Sequence, residues 1–242
     1  MASEQEERSG HHWQEPERVA EYIDRTDQII AERAIAFDLM TKLVPAEADA
    51  PLSVLDVGSG HGIVASFILE AFPNAQAIGL DISDAMMDAG RKRMAKFGNR
   101  FRYVVGDFAD GILPPEATFE GPFDLVVSAR AIHHLPAPLM ETMYTSIYQN
   151  LRPGGAFFNT DTASPGSDYL NDMYRKVSRI GRPPRTEPSY RSPEQQAHDS
   201  LLHHKDATVL KHYEWLKAAG FISADCFWKK LNLALIGGYK QA

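Results

Sequence analysis

The chain has 242 residues, 44% of them hydrophobic, and a formal net charge of −7 at pH 7. That is enough for one large domain or two small ones with a sizeable core, and too apolar for wholesale disorder. Lys and Arg form no long cluster, which argues against nucleic acid as the main partner, and the single cysteine, Cys226, excludes an internal disulfide framework and disfavours a thiolate metal site.

Residues 1–10 are acidic and polar, unlike a basic-then-apolar secretory leader, and no run approaches the length of a membrane span. With the lone cysteine, these features predict a cytoplasmic protein without a membrane partner. His11 and His12 are expected to be solvated, with Trp13 docked on the domain. From 17 to 44 apolar residues recur at helical spacing, which predicts two helices broken near Thr26. Residues 45–51 read as a linker.

Next comes Val54-Leu55-Asp56-Val57-Gly58-Ser59-Gly60-His61-Gly62. An apolar run over 52–57, glycines at every second position and an amphipathic stretch over 63–72 predict strand, tight turn and helix. Glycines there let backbone approach a ligand, and the helix start offers free N–H groups to something negative. The dinucleotide pattern Gly-x-Gly-x-x-Gly fails, because Ile63 stands where its third glycine belongs.

A second strand is predicted over 75–82, then Ser83 as N-cap and a helix over 85–97 closed by Gly98. A third strand over 100–105 leads to Gly106-Asp107-Phe108, and residues 110–122 read as a long acidic loop. A fourth strand covers 123–128, a helix 138–151, a stop falls at Arg152-Pro153-Gly154-Gly155, and a fifth strand begins over 156–159. After Asp161 the rhythm breaks, and 164–192 is rich in proline and tyrosine. Helices over 192–204 and 207–219, the second stopped by Gly220, precede a hairpin of strands over 222–228 and 231–236. Cys226 is expected to be a buried core thiol. Strands alternating with amphipathic helices predict an α/β fold with a parallel, doubly wound sheet.

Five stretches in this order, VLDVGSGHG, IGLDIS, VVGDF, FDLVVSARAIHHL and LRPGG, followed by AAGF and a terminal hairpin, resemble the class I S-adenosylmethionine (SAM)-dependent methyltransferases over about 52–239. The resemblance implies a Rossmann-like, doubly wound, mostly parallel sheet with a C-terminal antiparallel hairpin and a helical lid. It divides the chain into an N-terminal helical cover (1–45), a SAM-binding core (46–162), an inserted lid over the acceptor site (163–206), and a last helix with hairpin (207–242). It implies methyl transfer from SAM, leaving S-adenosylhomocysteine, to oxygen or nitrogen, less readily carbon, of a small organic acceptor. An RNA methyltransferase and a non-catalytic SAM-binding partner subunit stay open as alternatives. The oligomeric state is open.

Each implied role has a physical reason at its position. Asp81, at a strand end beside the glycines, can accept both ribose hydroxyls, as a like residue does in dinucleotide folds. Ile82 can pack on adenine, Asp107 can accept from the adenine amino group, and Phe108 forms an apolar wall. Gly58, Ser59 and Gly60 approach the methionine end, whose ammonium Asp56 can hold directly or through water. Ser128, Ala129 and Arg130 end the fourth strand, where donor and acceptor should meet. Arg33 is a candidate clamp for the SAM carboxylate, and Tyr22 can close over the cofactor. His133 and His134 are candidate bases, since imidazole titrates near neutral pH. Tyr169, Met173, Tyr174, Tyr190 and His198 are candidate acceptor contacts. His198, His203 and His204 match no standard metal spacing, so no metal is expected.

Overall fold

A computed structural model describes residues 30–180 and 207–242, together with 19, 20 and 23. The elements are α1 (Ile30–Leu43), β1 (Ser53–Val57), α2 (Ile63–Ala71), β2 (Gln76–Asp81), α3 (Asp84–Met94), β3 (Phe101–Val105), α4 (Pro115–Thr118), β4 (Phe123–Ala129), α5 (Ala137–Gln149), β5 (Leu151–Thr162), α6 (Asp168–Arg179), α7 (Val209–Ala219), β6 (Ile222–Lys230) and β7 (Leu233–Tyr239). The strands form one seven-stranded sheet in the order β3-β2-β1-β4-β5-β7-β6. The first five run parallel, and β7 lies antiparallel between β5 and β6. This is the Rossmann-like sheet with a terminal antiparallel hairpin that the resemblance implies.

Side chains alternate across a strand, so each central strand feeds two cores. Val54, Leu125, Val127 and Phe158 pack with Phe37 and Met40 of α1 and with Ile68 and Leu69 of α2. Their neighbours Leu55, Val126 and Phe157 pack on the other face with Met143, Tyr144 and Ile147 of α5 and Trp215 and Leu216 of α7. Near-continuous apolar strands follow from burial on both faces. Chain order reverses between β1 and β4, which start parallel crossovers to opposite sides, and a crevice opens outside the carboxyl ends of the strands there.

Several expectations are corrected. The helix after Ser83 ends at Met94 and tightens into a 3₁₀ stretch over Ala95–Arg100, with Gly98 at φ 57. The acidic loop contains one helical turn, α4, with Pro115 at its start. Arg152–Gly155 does not precede β5 but lies within it, as an irregular insertion between the pairs Phe123↔Leu151 and Leu125↔Ala156. There backbone hydrogen bonds tie the insertion to the residue after β7, Gly154 N donating to Lys240 O and Lys240 N to Gly155 O. The proline-bearing stretch after Asp161 forms α6, capped by Ser167. Cys226 is half-buried rather than buried. Residues 19, 20 and 23 are helical, while the break near Thr26, the residues before 19 and the helix expected over 192–204 lie outside the described residues.

Candidate cofactor cleft

A cleft enclosing about 820 Å³, part of it open to solvent, lies at the carboxyl edge of the sheet. Its wall is the glycine loop (Gly58, Ser59, Gly60, His61), the end of β2 (Asp81, Ile82), the turn after β3 (Asp107, Phe108, Ala109) and the end of β4 (Ala129, Arg130, Ala131, His134, Leu135), with Ile63 and Met86.

The loop is held by local geometry. Gly58 has φ 66, and a Cβ built on it would stand 2.2 Å from the Ala131 Cβ, so only glycine fits between loop and β4 turn. Ser59 N donates to Leu80 O across to β2 at 2.9 Å. Asp81 completes the frame, because Gly60 N donates to its Oδ2 at 2.7 Å and Ser83 N to its Oδ1 at 2.9 Å. A carboxylate has about four lone-pair sites, so each oxygen keeps capacity for a ligand hydroxyl. Burial pushes Asp81 above its ordinary pKa, and the N–H groups of Ser83, Gly60 and Ile82 oppose that rise. Asp107 is exposed at the rim, with Oδ1 accepting from Ala109 N at 2.8 Å.

Asp56 sits lower. It is 1% exposed, lies outside the cleft wall, and accepts from Ala65 N of α2 at 3.1 Å through Oδ2. Its Oδ1 is buried without a hydrogen-bond partner among the described residues. Burial, then the nearby Asp81, raise it to about 7 against the pull of Ala65 N–H. His61, inside the loop and 3% exposed, is pushed down to about 3 by burial and by Arg93 and Arg33. Arg33 of α1 is buried at 8%, near enough to His61 for its charge to act on that ring. Arg130 ends β4 in the left-handed region at φ 59. For a non-glycine residue that conformation costs about 1–3 kcal/mol, the kind of strain that collects at functional sites.

The sequence-expected residues divide accordingly. Gly58, Ser59, Gly60, Asp81, Ile82, Asp107, Phe108, Ala129, Arg130 and His134 line one cleft. Ser128 does not. Its side chain is fully buried and donates to Val57 O at 2.8 Å, tying β4 to β1. His133 is buried behind His134, with Nδ1 2.5 Å from Asp161 Oδ1. Tyr169, Met173 and Tyr174 lie on α6 and outside the cleft wall, with Tyr169 73% exposed and Tyr174 OH accepting from Lys229 Nζ at 3.2 Å. Tyr22, Tyr190 and His198 lie outside the described residues, as do His11, His12, Trp13, His203 and His204. Sequence reasoning missed His61, Met86, Ala131 and Asp161. His61 stood in plain view between two of the motif's glycines, and Asp161 closes an apolar strand as a lone carboxylate. Among the described residues no group of three or more His, Cys, Asp or Glu is arranged for a metal, and no helix is long and apolar enough to cross a membrane.

Two buried polar atoms of the cleft-lining residues, Ser59 Oγ and Arg130 Nε, have no hydrogen-bond partner among the described residues. With two strand-end carboxylates and the apolar Ile82 and Phe108, the donor set fits a group carrying hydroxyls, a charge and an aromatic base. A glycine loop after β1, acids ending β2 and β3, and an antiparallel seventh strand define the class as a nucleoside-binding α/β domain. The family model described as "Methyltransferase domain" matches residues 54–155. Over that span the chain is similar to the class I SAM-dependent methyltransferases.

Among curated proteins, the chain is 32% identical over 156 residues to a ubiquinone/menaquinone biosynthesis C-methyltransferase UbiE of Methylobacterium nodulans, covering 62% of this chain and 59% of that protein. It is 35% identical over 108 residues to a sterol 24-C-methyltransferase of Yarrowia lipolytica, covering 44% and 26%. The chain thus spans well under two thirds of the length of these relatives. Among solved structures, an O-methyltransferase family protein from Burkholderia thailandensis superposes with a TM-score of 0.61 at 18% identity, covering 90% of this chain and 58% of that one. That likeness concerns the fold.

Proposed function

We propose that this protein is an enzyme that transfers a methyl group from SAM to a small organic acceptor. The observation that carries the reading is convergence: the glycine loop, Asp81, Asp107 and the turn after β4 all line one cleft. SAM, when bound, supplies a methyl group already activated on a sulfonium. In this reading Asp81 accepts the ribose hydroxyls, Ile82 and Phe108 hold the adenine, and Asp107 accepts its amino group. Gly58, Ser59 and Gly60 contact the methionine end, with Arg33 available to its carboxylate. Asp56 acts from beneath, by fixing the start of α2 and by offering negative charge under the loop. The protein's task is then alignment, exclusion of water and removal of a proton where the acceptor carries one.

The acceptor atom follows from the relatives only in outline. The two curated relatives are named as carbon methyltransferases, while a solved neighbour is named as an O-methyltransferase family protein. Carbon therefore stands beside oxygen and nitrogen, ahead of the rank the sequence alone assigned it. Residues 46–162 serve as the cofactor core, 1–45 and 163–206 as cover, and 207–242 completes the sheet. The test is radiolabel transfer from methyl-labelled SAM into the small-molecule fraction of a cell extract. Label in that fraction with wild-type protein and none with Asp81→Ala supports the reading; label only in RNA, or none at all, overturns it.

A further inference from the structure

We propose that Asp161 is the positioning residue of a histidine pair, His133 and His134, that takes up the acceptor's proton; this rests on the methyltransferase reading. Asp161 closes β5 beside β7, opposite Ala234, and is 2% exposed. Its Oδ1 accepts from Thr162 N at 2.7 Å, and its Oδ2 accepts from His133 N at 3.0 Å. Its Oδ1 also stands 2.5 Å from His133 Nδ1. One carboxylate therefore accepts from the backbone of His133 and lies against its ring nitrogen, a contact that restrains the ring and favours a proton on Nδ1.

The turn does not need this grip to close. His134 N donates to Ala131 O and Leu135 N to Ile132 O, both at 3.0 Å. What the grip adds is orientation. The rings of His133 and His134 stack with centroids 4.1 Å apart at 34°, and His134 lines the cleft. As the acceptor atom's electron pair forms its bond to the methyl carbon, the carbon–sulfur pair returns to sulfur. The acceptor's proton then passes to a ring nitrogen of His134. A cation appearing there stacks on the His133 ring, which has a carboxylate against its Nδ1, and a nearby opposite charge favours the charged form. Tyr144 of α5 and His212 of α7 face Asp161 from behind; the Tyr144 hydroxyl is 2.7 Å from His212 Nδ1, and burial lowers His212 to about 4. Neither of these two groups is a competing cation at neutral pH.

The experiment is ring ¹⁵N NMR of the full chain, histidine-labelled and saturated with S-adenosylhomocysteine, in wild type, Asp161→Asn and His133→Gln, across pH 5–9. Expected in wild type is His133 as the Nδ1–H tautomer. In Asp161→Asn at least half of that population should shift to Nε2–H, and the His134 midpoint should fall by at least half a pH unit. His133→Gln, which keeps Asp161, covers the case in which Asp161→Asn does not fold; it too should move the His134 midpoint. A His133 tautomer indifferent to Asp161, or a His134 midpoint the same in every folded variant, overturns the proposal. Failure of wild type to bind S-adenosylhomocysteine would instead strike the methyltransferase reading, and calorimetry on the same sample separates the two.

Discussion

Asp56, just before the glycine loop, and His61, within it, respond oppositely to pH. Asp56 has a folded pKa of about 7 against an ordinary 3.8, so its contribution is fully present below about 4 and is lost as pH rises through 7. His61, lowered to about 3 from 6.5, contributes stability that is complete above 6.5 and lost as pH falls toward 3. Asp56→Asn removes the first dependence. Relative to wild type, it should gain about 2–3 kcal/mol between pH 5 and pH 8, at about 1.4 kcal/mol per unit. Urea unfolding at the two pH values reads this directly, and an equal difference at both would show that Asp56 does not titrate there. Asp81→Ala should weaken S-adenosylhomocysteine by about 1–3 kcal/mol, the cost of stranding polar groups that had a charged partner. Unchanged affinity in a folded variant would remove Asp81 from the site. These residues were legible because glycines and strand-end acids are local signals. Ser128 was misleading because a hydroxyl at a strand end reads the same whether it faces the ligand or the neighbouring strand. The structure gives its proton to Val57 O.

Helices with distinct ends were readable as elements. Ser83 caps α3 by accepting from Met86 N at 3.0 Å, and Gly220 closes α7 at φ 108. Ser83→Ala should cost about 1 kcal/mol of global stability, the usual loss for a serine N-cap, seen as a lowered urea midpoint. No loss would mean that another donor or acceptor replaces the cap. The start of β5 was obscured because Pro153, Gly154 and Gly155 carry turn chemistry, yet the pairing of β5 with β4 and β7 absorbs them as an irregularity. α6 was hidden by the proline-rich sequence after it. Its Tyr169, Leu170, Met173 and Val177, with Ile180 just after it, all remain at least 37% exposed. Helical spacing is present there, but burial, which normally confirms it, is not.

At the scale of the molecule, alternation of strand and helix gave away the doubly wound sheet, and the ordered motifs placed its ligand edge. The cover was less legible, because a lid is defined by what it closes over, and periodicity carries no such information. Tyr169, Met173 and Tyr174 meet an acceptor only if α6 folds toward the cleft. Saturation with S-adenosylhomocysteine should then slow amide hydrogen exchange in both α1 and α6. Exchange in both that ignores the ligand would remove 1–45 and 163–206 from the role of cover. The central claim is narrower: the cleft between β1, β2, β3 and β4 takes SAM and not a nicotinamide dinucleotide. Isothermal titration of the purified full chain tests it most directly. Saturable heat with SAM and with S-adenosylhomocysteine, and none with NAD, is the predicted result; tight NAD binding with no response to SAM would contradict it.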